Sequence, residues 1–458
     1  MGCSASHRSK IETAVATPAL PDTIRWRHAV GARWLLAACV AWLPALPLFA
    51  QSPQYTAPGG GERYELPTAE SVEGRMEEAR WRLGPLRVAP WLGLRGLTYE
   101  QDVFIDDEDE VSDVTGSVGA GFTAYLPTGS RVFWIAQAMP EYVFWLDLSE
   151  RNELIGRYGG GVVADLNRLR LVADVYSREE QTAVTVESPQ QVVAQRRGGA
   201  ADLALRLNSS FDFIVAARIE ELSNRRRGDG VASASGGLDF RRVDREEQVL
   251  VAGVHFQPSE AVRLGVGAEW TETDFARGAR NLSNTGTSPF VDVILTGNKI
   301  AFDGRLAHRE LEPAPGSVLR PVEELAGNAR LELTPGWRFS FGLYGHRNVT
   351  YALTTAYSHI LDDRLGADVG APFGDRLTTR AFYETGTADY QRIDPRAAVR
   401  SDDVTAYGLE ATFEVGEWLN YRAGFLQVDF DSNLSEFDRD YVRITSTFVL
   451  STEDWAWR

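Results

Sequence analysis

The side chains able to bind a metal or move a proton in most of this chain are four histidines, His255, His308, His346 and His359. They are widely separated, with no His-x-His or His-x-x-x-His pair to place two nitrogens on one ion. The only cysteines, Cys3 and Cys39, lie near the N-terminus, which leaves the rest of the chain without a thiolate site or a disulfide. No Gly-x-Ser-x-Gly elbow occurs. A Ser/His/carboxylate group assembled from distant loops remains open, because such triads need not be local. The run Gly156-Arg157-Tyr158-Gly159-Gly160-Gly161 has no following helical pattern and no basic residue in the P-loop place, so it reads as strand glycines that ease curvature. The acidic run Asp106-Asp107-Glu108-Asp109-Glu110 reads as a solvated external loop. No catalytic residue, cofactor or metal is expected.

Charge placed at every second residue is the stronger signal. Val262, Leu264, Val266, Ala268 and Trp270 alternate with Arg263, Gly265, Gly267, Glu269 and Thr271, giving one apolar and one polar face of an extended strand. The same rhythm runs through Leu169 to Val175 and through Tyr407 to Val415. The charged face of such strands supplies the candidate lumen-lining residues: Arg168, Arg170, Asp174, Arg206, Arg218, Arg263, Glu269, Asp303, Arg305, Arg330, Glu332, Arg338, Arg380, Glu410 and Arg422. Charge is costly against lipid, so these side chains are expected to face water inside a barrel.

Turns recur about every 40 residues between such strands. They are Pro127-Thr128-Gly129, Leu166-Asn167, Asn208-Ser209-Ser210, Gln257-Pro258-Ser259, Gly297-Asn298, Pro335-Gly336, Pro372-Phe373-Gly374 and Val415-Gly416-Glu417. Between them lie longer charged connections: Asp102 to Glu110, Glu187 to Arg197, Asn224 to Asp244 and Asp389 to Asp403. Strict alternation of short and long connections predicts an all-β, transmembrane antiparallel up-and-down β-barrel over residues 85–458, with about eighteen strands and sixteen as the alternative. Trp337, Trp418 and Phe211 follow turns, as an aromatic belt requires. A β-propeller shares the period, but each repeat here holds two long strands and not four short ones.

Arg25, Arg27 and Arg33 precede the apolar run Trp34 to Phe49, and Leu48-Phe49-Ala50 resembles a signal-peptidase site. Residues 1–50 are therefore expected to be a signal peptide, with the true start near residue 30. Residues 51–84 are expected to be a periplasmic lead-in whose short helix opens at Thr68 and runs on through Arg82. Net charge is −17, and the first 50 residues hold five basic and two acidic side chains, so the remainder carries −20. That acidity disfavours nucleic acid.

The stretch Pro90 to Phe104, with Tyr99 followed by Asp102, Val103 and Phe104, resembles the opening strand of a family of outer-membrane porins often encoded with exopolysaccharide-synthesis genes. Asp102 departs from that family's usual Asn. Its aromatic C-terminal signal is also altered, since Trp457 precedes Arg458, and Phe448 offers an internal equivalent. The resemblance implies a cell outer membrane location, with lipids, lipopolysaccharide, the barrel assembly machinery and polysaccharide as partners. The expected function is a non-enzymatic porin-like channel for exopolysaccharide export or small-solute diffusion. A closed surface scaffold and an outer-membrane barrel hydrolase are the alternatives.

Overall fold

A computed structural model describes residues 68–100, 112–182, 187, 192–225, 240–276, 282–336, 338–416 and 419–451. The expected export signal, the Asp106–Glu110 run and Trp337, Trp418 and Trp457 lie outside them.

Helix α1 (Ala69–Glu78) and the short strand β1 (Trp81–Leu83) precede the long strands. These are β2 (Leu86–Glu100), β3 (Asp113–Pro127), β4 (Val132–Trp145), β5 (Glu153–Leu166), β6 (Leu169–Thr182), β7 (Val192–Arg206), β8 (Phe211–Arg225), β9 (Arg245–Ser259) and β10 (Val262–Phe275). They continue as β11 (Asn284–Leu295), β12 (Ile300–Pro313), β13 (Val322–Leu333), β14 (Ser340–Tyr351), β15 (Tyr357–Phe373), β16 (Leu377–Arg392), β17 (Arg400–Gly416), β18 (Leu419–Ser432) and β19 (Arg439–Ser451). Each long strand pairs antiparallel with the next, and β19 returns to β2 between Arg443↔Glu100 and Ser451↔Trp91. The result is a closed antiparallel barrel of 18 strands. Closure joins the last long strand to the first, which a membrane wall requires because lipid cannot satisfy free backbone groups. β19 stops at Trp91, and β1 takes up the same edge of β2 from Val88 to Leu86.

The short turns fall at or close to the expected places, but Gln257-Pro258-Ser259 and Pro372-Phe373 end β9 and β15, and the chain reverses just after them. A two-residue turn joins Leu166↔Leu169 through Asn167 and Arg168, with Asn167 at φ 65. Asn tolerates that left-handed geometry through local hydrogen bonding.

Two expectations are corrected at the opposite end of the barrel. Val192 to Arg197 belongs to β7, and Asp389 to Arg392 and Arg400 to Asp403 belong to β16 and β17, so those connections are shorter than expected. The long strands run from 12 to 17 residues. These strand ends are covered by other connections and not by lipid, with Val192 4 %, Tyr390 4 % and Arg400 2 % exposed, so the ladder continues without the lipid–water alternation that marks it in sequence. The helix is also shorter than expected: it ends at Glu78, because Trp81 to Leu83 pair with β2.

One face of every long strand carries large, strongly exposed apolar side chains, among them Leu92, Phe122, Trp134, Val175, Ile219, Val266, Val291, Leu306, Leu325, Leu365, Leu409 and Ile444. This is the outer face, and it is that of a barrel standing in lipid. Phe211 and Phe256 stack on it at 4.8 Å, one at the start of β8 and one near the end of β9.

Candidate channel lumen

The opposite, inner face carries charge in pairs that span neighbouring strands. Thirteen of the expected residues occupy inner-face strand positions by parity with the apolar set. Arg168 and Arg338 do not: they sit in the turns before β6 and β14, so period two says nothing of their direction. Arg170 lies 3.9 Å from Asp165, and Arg206 lies 3.8 Å from Asp212. Arg218 donates to Glu247 at 3.0 Å, and Arg309 approaches Glu269 at 3.7 Å. Arg305 stands 4.2 Å over the Phe290 ring. Asp303 faces Arg330 across a rung, Glu332 faces Ala301, and Glu410 faces Arg380. Asp174 lies opposite Gly161 and Ala200, Arg263 opposite Ile294, and Arg422 opposite Thr412.

Asp368 of β15 gathers the densest of these clusters. It accepts from Arg330 at 2.7 and 3.1 Å and from Arg380 at 3.0 Å. One carboxylate thus offsets two guanidinium groups in a wall where water is scarce. Asp368→Ala should remove the acceptor that both arginines share and shift ion preference towards anions by about twofold, read as the reversal potential across a salt gradient. An unchanged potential from folded protein would place this cluster off the ion path.

Above this level the wall departs from a plain cylinder. β13 and β14 are in register only from Leu333↔Phe341 to Gly327↔Arg347, whereas β14 and β15 continue together to Tyr351↔His359. The upper part of the β14–β15 hairpin parts from β13 and folds inward, while β15 stays joined to β16 as far as Tyr357↔Arg392. The Tyr351 ring meets Phe275 edge-on at 4.8 Å, and its hydroxyl accepts from Asn284 Nδ2 at 2.9 Å. Phe275 and Asn284 belong to the upper ends of β10 and β11, so the hairpin has crossed in front of β12 and β13. An apolar core forms beneath it from Phe275, Leu282, Leu311, Leu319, Val322, Val349, Leu353 and Leu361, together with Val192 and Val243.

The tip of that hairpin is held by buried charge. Arg242, in the 3-10 turn Phe240–Val243 before β9, donates to the carbonyls of Ala352 at 3.1 Å, Tyr357 at 2.9 Å and Thr354. Glu187, from the connection between β6 and β7, accepts from the Leu353 backbone N–H and from Thr354 Oγ1 at 2.6 Å. Arg400 of β17 lies 3.9 Å from Glu187 and donates to Asp402 at 2.6 and 2.9 Å. Its guanidinium is sandwiched 4.0 Å from Tyr390 and 3.8 Å from Phe437. Arg439 over Phe430 at 4.0 Å and Arg443 over Tyr441 at 5.0 Å continue the stack along β18 and β19. Glu187 and Arg400 are each 2 % exposed and Asp402 is 0 % exposed. Separate connections therefore converge on one buried cluster of charge and aromatic rings.

The sequence reading missed this network. Glu187 and Thr354 stand 167 residues apart, and no local period reports a contact of that range. Asp368 was accessible to it: Asp362, Arg364 and Asp368 hold the polar phase of β15 as plainly as Arg263 and Glu269 hold that of β10.

The histidines also find their places. His255 lies 3.4 Å from Asp292 and His346 lies 3.3 Å from Asp362, both on the inner face. His359 sits buried beside Ser358, 2.9 Å from its hydroxyl. That hydroxyl also donates to the Gln391 carbonyl at 3.2 Å, and among the described residues no carboxylate hydrogen-bonds the His359 ring, so a hydrolytic triad is not assembled there. His308, Glu310 and Glu323 bring their donor atoms within 4.8 Å of one another on the outer face, the one such metal-capable group among the described residues. Glu310 and Glu323 are exposed, and nothing encloses the group.

No protein-family model and no curated protein matches the chain. Solved structures do. OccK9 (OpdG) of Pseudomonas aeruginosa matches at TM-score 0.51 and 13 % identity, covering 80 % of this chain and 98 % of its own. A BenF-like porin from Pseudomonas fluorescens Pf-5 matches at 0.51 and 11 % identity over the same shares. OpdK of Pseudomonas aeruginosa, solved with vanillate, matches at 0.50 and 12 % identity, again over 80 % and 98 %. The fold is that of an outer-membrane porin. Identity this low carries the architecture and not the cargo.

Proposed function

We propose that the protein is a non-enzymatic outer-membrane channel through which small polar solutes diffuse, selected at the narrowing made by the β14–β15 hairpin. The observation that carries this reading is the docked tip, where Arg242, Glu187 and Arg400 hold buried backbone and charge across the bore. An 18-stranded wall alone would enclose a wide aqueous pore. A hairpin locked across it leaves room for a solute of modest size and opposes the continuous passage of a stiff, hydrated polymer. Small-solute diffusion is therefore the reading we keep, and exopolysaccharide export has no support in this geometry.

The paired inner-face charges line the path in this reading, and outer-membrane lipid covers the apolar belt. The assembly machinery inserts the barrel by reading Phe448, an outer-face aromatic packed 4.6 Å from Tyr421 on the last hairpin.

Purified protein in planar bilayers should give discrete single-channel steps, and liposomes should swell in small sugars but not in large ones. A folded barrel that passes no current would instead be a closed scaffold, and turnover in lipase or protease assays would establish the hydrolase. Glu269→Arg, on the inner face opposite Ser288 and Val251, should fold normally and lower cation preference by about twofold. Unchanged selectivity would remove Glu269 from the path.

A further inference from the structure

Helix α1 lies inside the barrel wall. Its N-cap is built for stability, with Thr68 Oγ1 accepting from Ser71 N–H at 3.0 Å and Ser71 Oγ accepting from Thr68 N–H at 3.1 Å. Val72, 1 % exposed, packs in one cluster with Tyr125, Phe133, Ile135, Val163 and Val172, and Ala69 and Met76 join from the same helix face. All five wall partners have the inner-face parity of β3 to β6, because Leu126, Trp134, Leu166 and Val175 beside or near them are exposed on the outer face. Tyr125, Phe133 and Val163 stand within a few residues of the short turns, so the contact is at the turn end of the bore, away from the docked hairpin.

At 3.6 residues per turn, Ala69, Val72 and Met76 form one stripe and Glu70, Gly74 and Glu77 the opposite one. Glu70, Glu73 and Glu77 are exposed, and a Cβ built on Gly74 meets no atom within 4 Å. The side of α1 away from the wall thus presents carboxylates to open space in the mouth. A three-residue strand, β1, and the turn at Gly84 tether the helix to β2, with Arg87 donating to the Gly84 carbonyl at 2.6 Å.

We infer that α1 is a resident selectivity element, a helix docked on the inner wall that narrows the turn-end mouth of the channel and biases it towards cations. Narrowing follows from the volume of a helix of 10 residues held within the bore. The bias follows from three carboxylates in a confined aqueous passage, where low-dielectric walls focus their field. The inference rests on the channel reading and adds a second filter in series with the first.

The test uses the full chain in planar bilayers. Val72→Glu puts a carboxylate into the apolar cluster and should undock α1, raising single-channel conductance by about half or more. Glu70→Gln, Glu73→Gln and Glu77→Gln combined should leave conductance near its starting value and lower cation preference by about twofold. Gly74→Cys, made in a chain with Cys3 and Cys39 replaced by Ser, guards against misfolding of the first variant. Its reaction with a sulfonate-bearing thiol reagent should reduce current in single steps. If the parent conducts and neither Val72→Glu nor the labelled Gly74→Cys alters its current, the inference is overturned while the channel reading stands. If neither parent nor Val72→Glu conducts from folded barrels, the channel reading fails and the inference goes with it. A silent parent opened by Val72→Glu would support α1 as a complete plug.

Discussion

Arg400→Ala should release the tip of the β14–β15 hairpin and turn a narrow, quiet channel into a wider, noisier one. The guanidinium lies against Asp402 and near Glu187, between the rings of Tyr390 and Phe437. Its removal breaks a buried ion-pair cluster in a region almost without water, and losing one partner of such a cluster costs about 3–5 kcal/mol. Little of that cost need unfold the barrel, whose ladder closes independently of the tip. The cheapest relief is for Glu187 to leave, which surrenders its bonds to Leu353 and Thr354. Single-channel conductance should rise about twofold with larger open-state fluctuations, while heat-modifiable gel migration stays that of folded protein. Glu187→Gln keeps the acceptor oxygen and should have a much smaller effect. Equal conductance in the parent and Arg400→Ala would show that the network does not bound the path.

Val266→Arg is expected to damage assembly itself. Val266 is 58 % exposed on the outer face, flanked by Val254 and Val291 across its two rungs. No carboxylate stands on those rungs to neutralise an arginine, and a cationic side chain near mid-membrane costs about 2–4 kcal/mol. Folding into bilayers, followed as the fraction with folded gel migration, should fall sharply. Glu269→Arg, three residues along the same strand but on the inner face, should fold like the parent. Similar folding of both variants would count against the assigned facing of β10.

The barrel was legible because its signals are local. Val266 and Glu269 report their faces through the period of two, which a one-residue slip would invert. Asn167 and Pro127-Thr128-Gly129 report turns through backbone preference alone. Strand ends were less legible: Val192 and Arg400 begin strands where other connections cover the wall, so both faces are buried and the period of two fades. Arg168 and Arg338 were placed on strands for their charge, and turn geometry claimed them.

Which residues alternate, where the chain reverses and how many hairpins follow one another are properties of neighbouring residues, so the order of amino acids alone settled the wall and its two faces. The inward fold of β14–β15, the meeting of Glu187 with Arg400 and the seat of Val72 on Tyr125 and Val163 needed the closed barrel. Each joins segments far apart in the chain, and the free energy of such a contact depends on which surfaces closure brings together and on how little water it leaves between them.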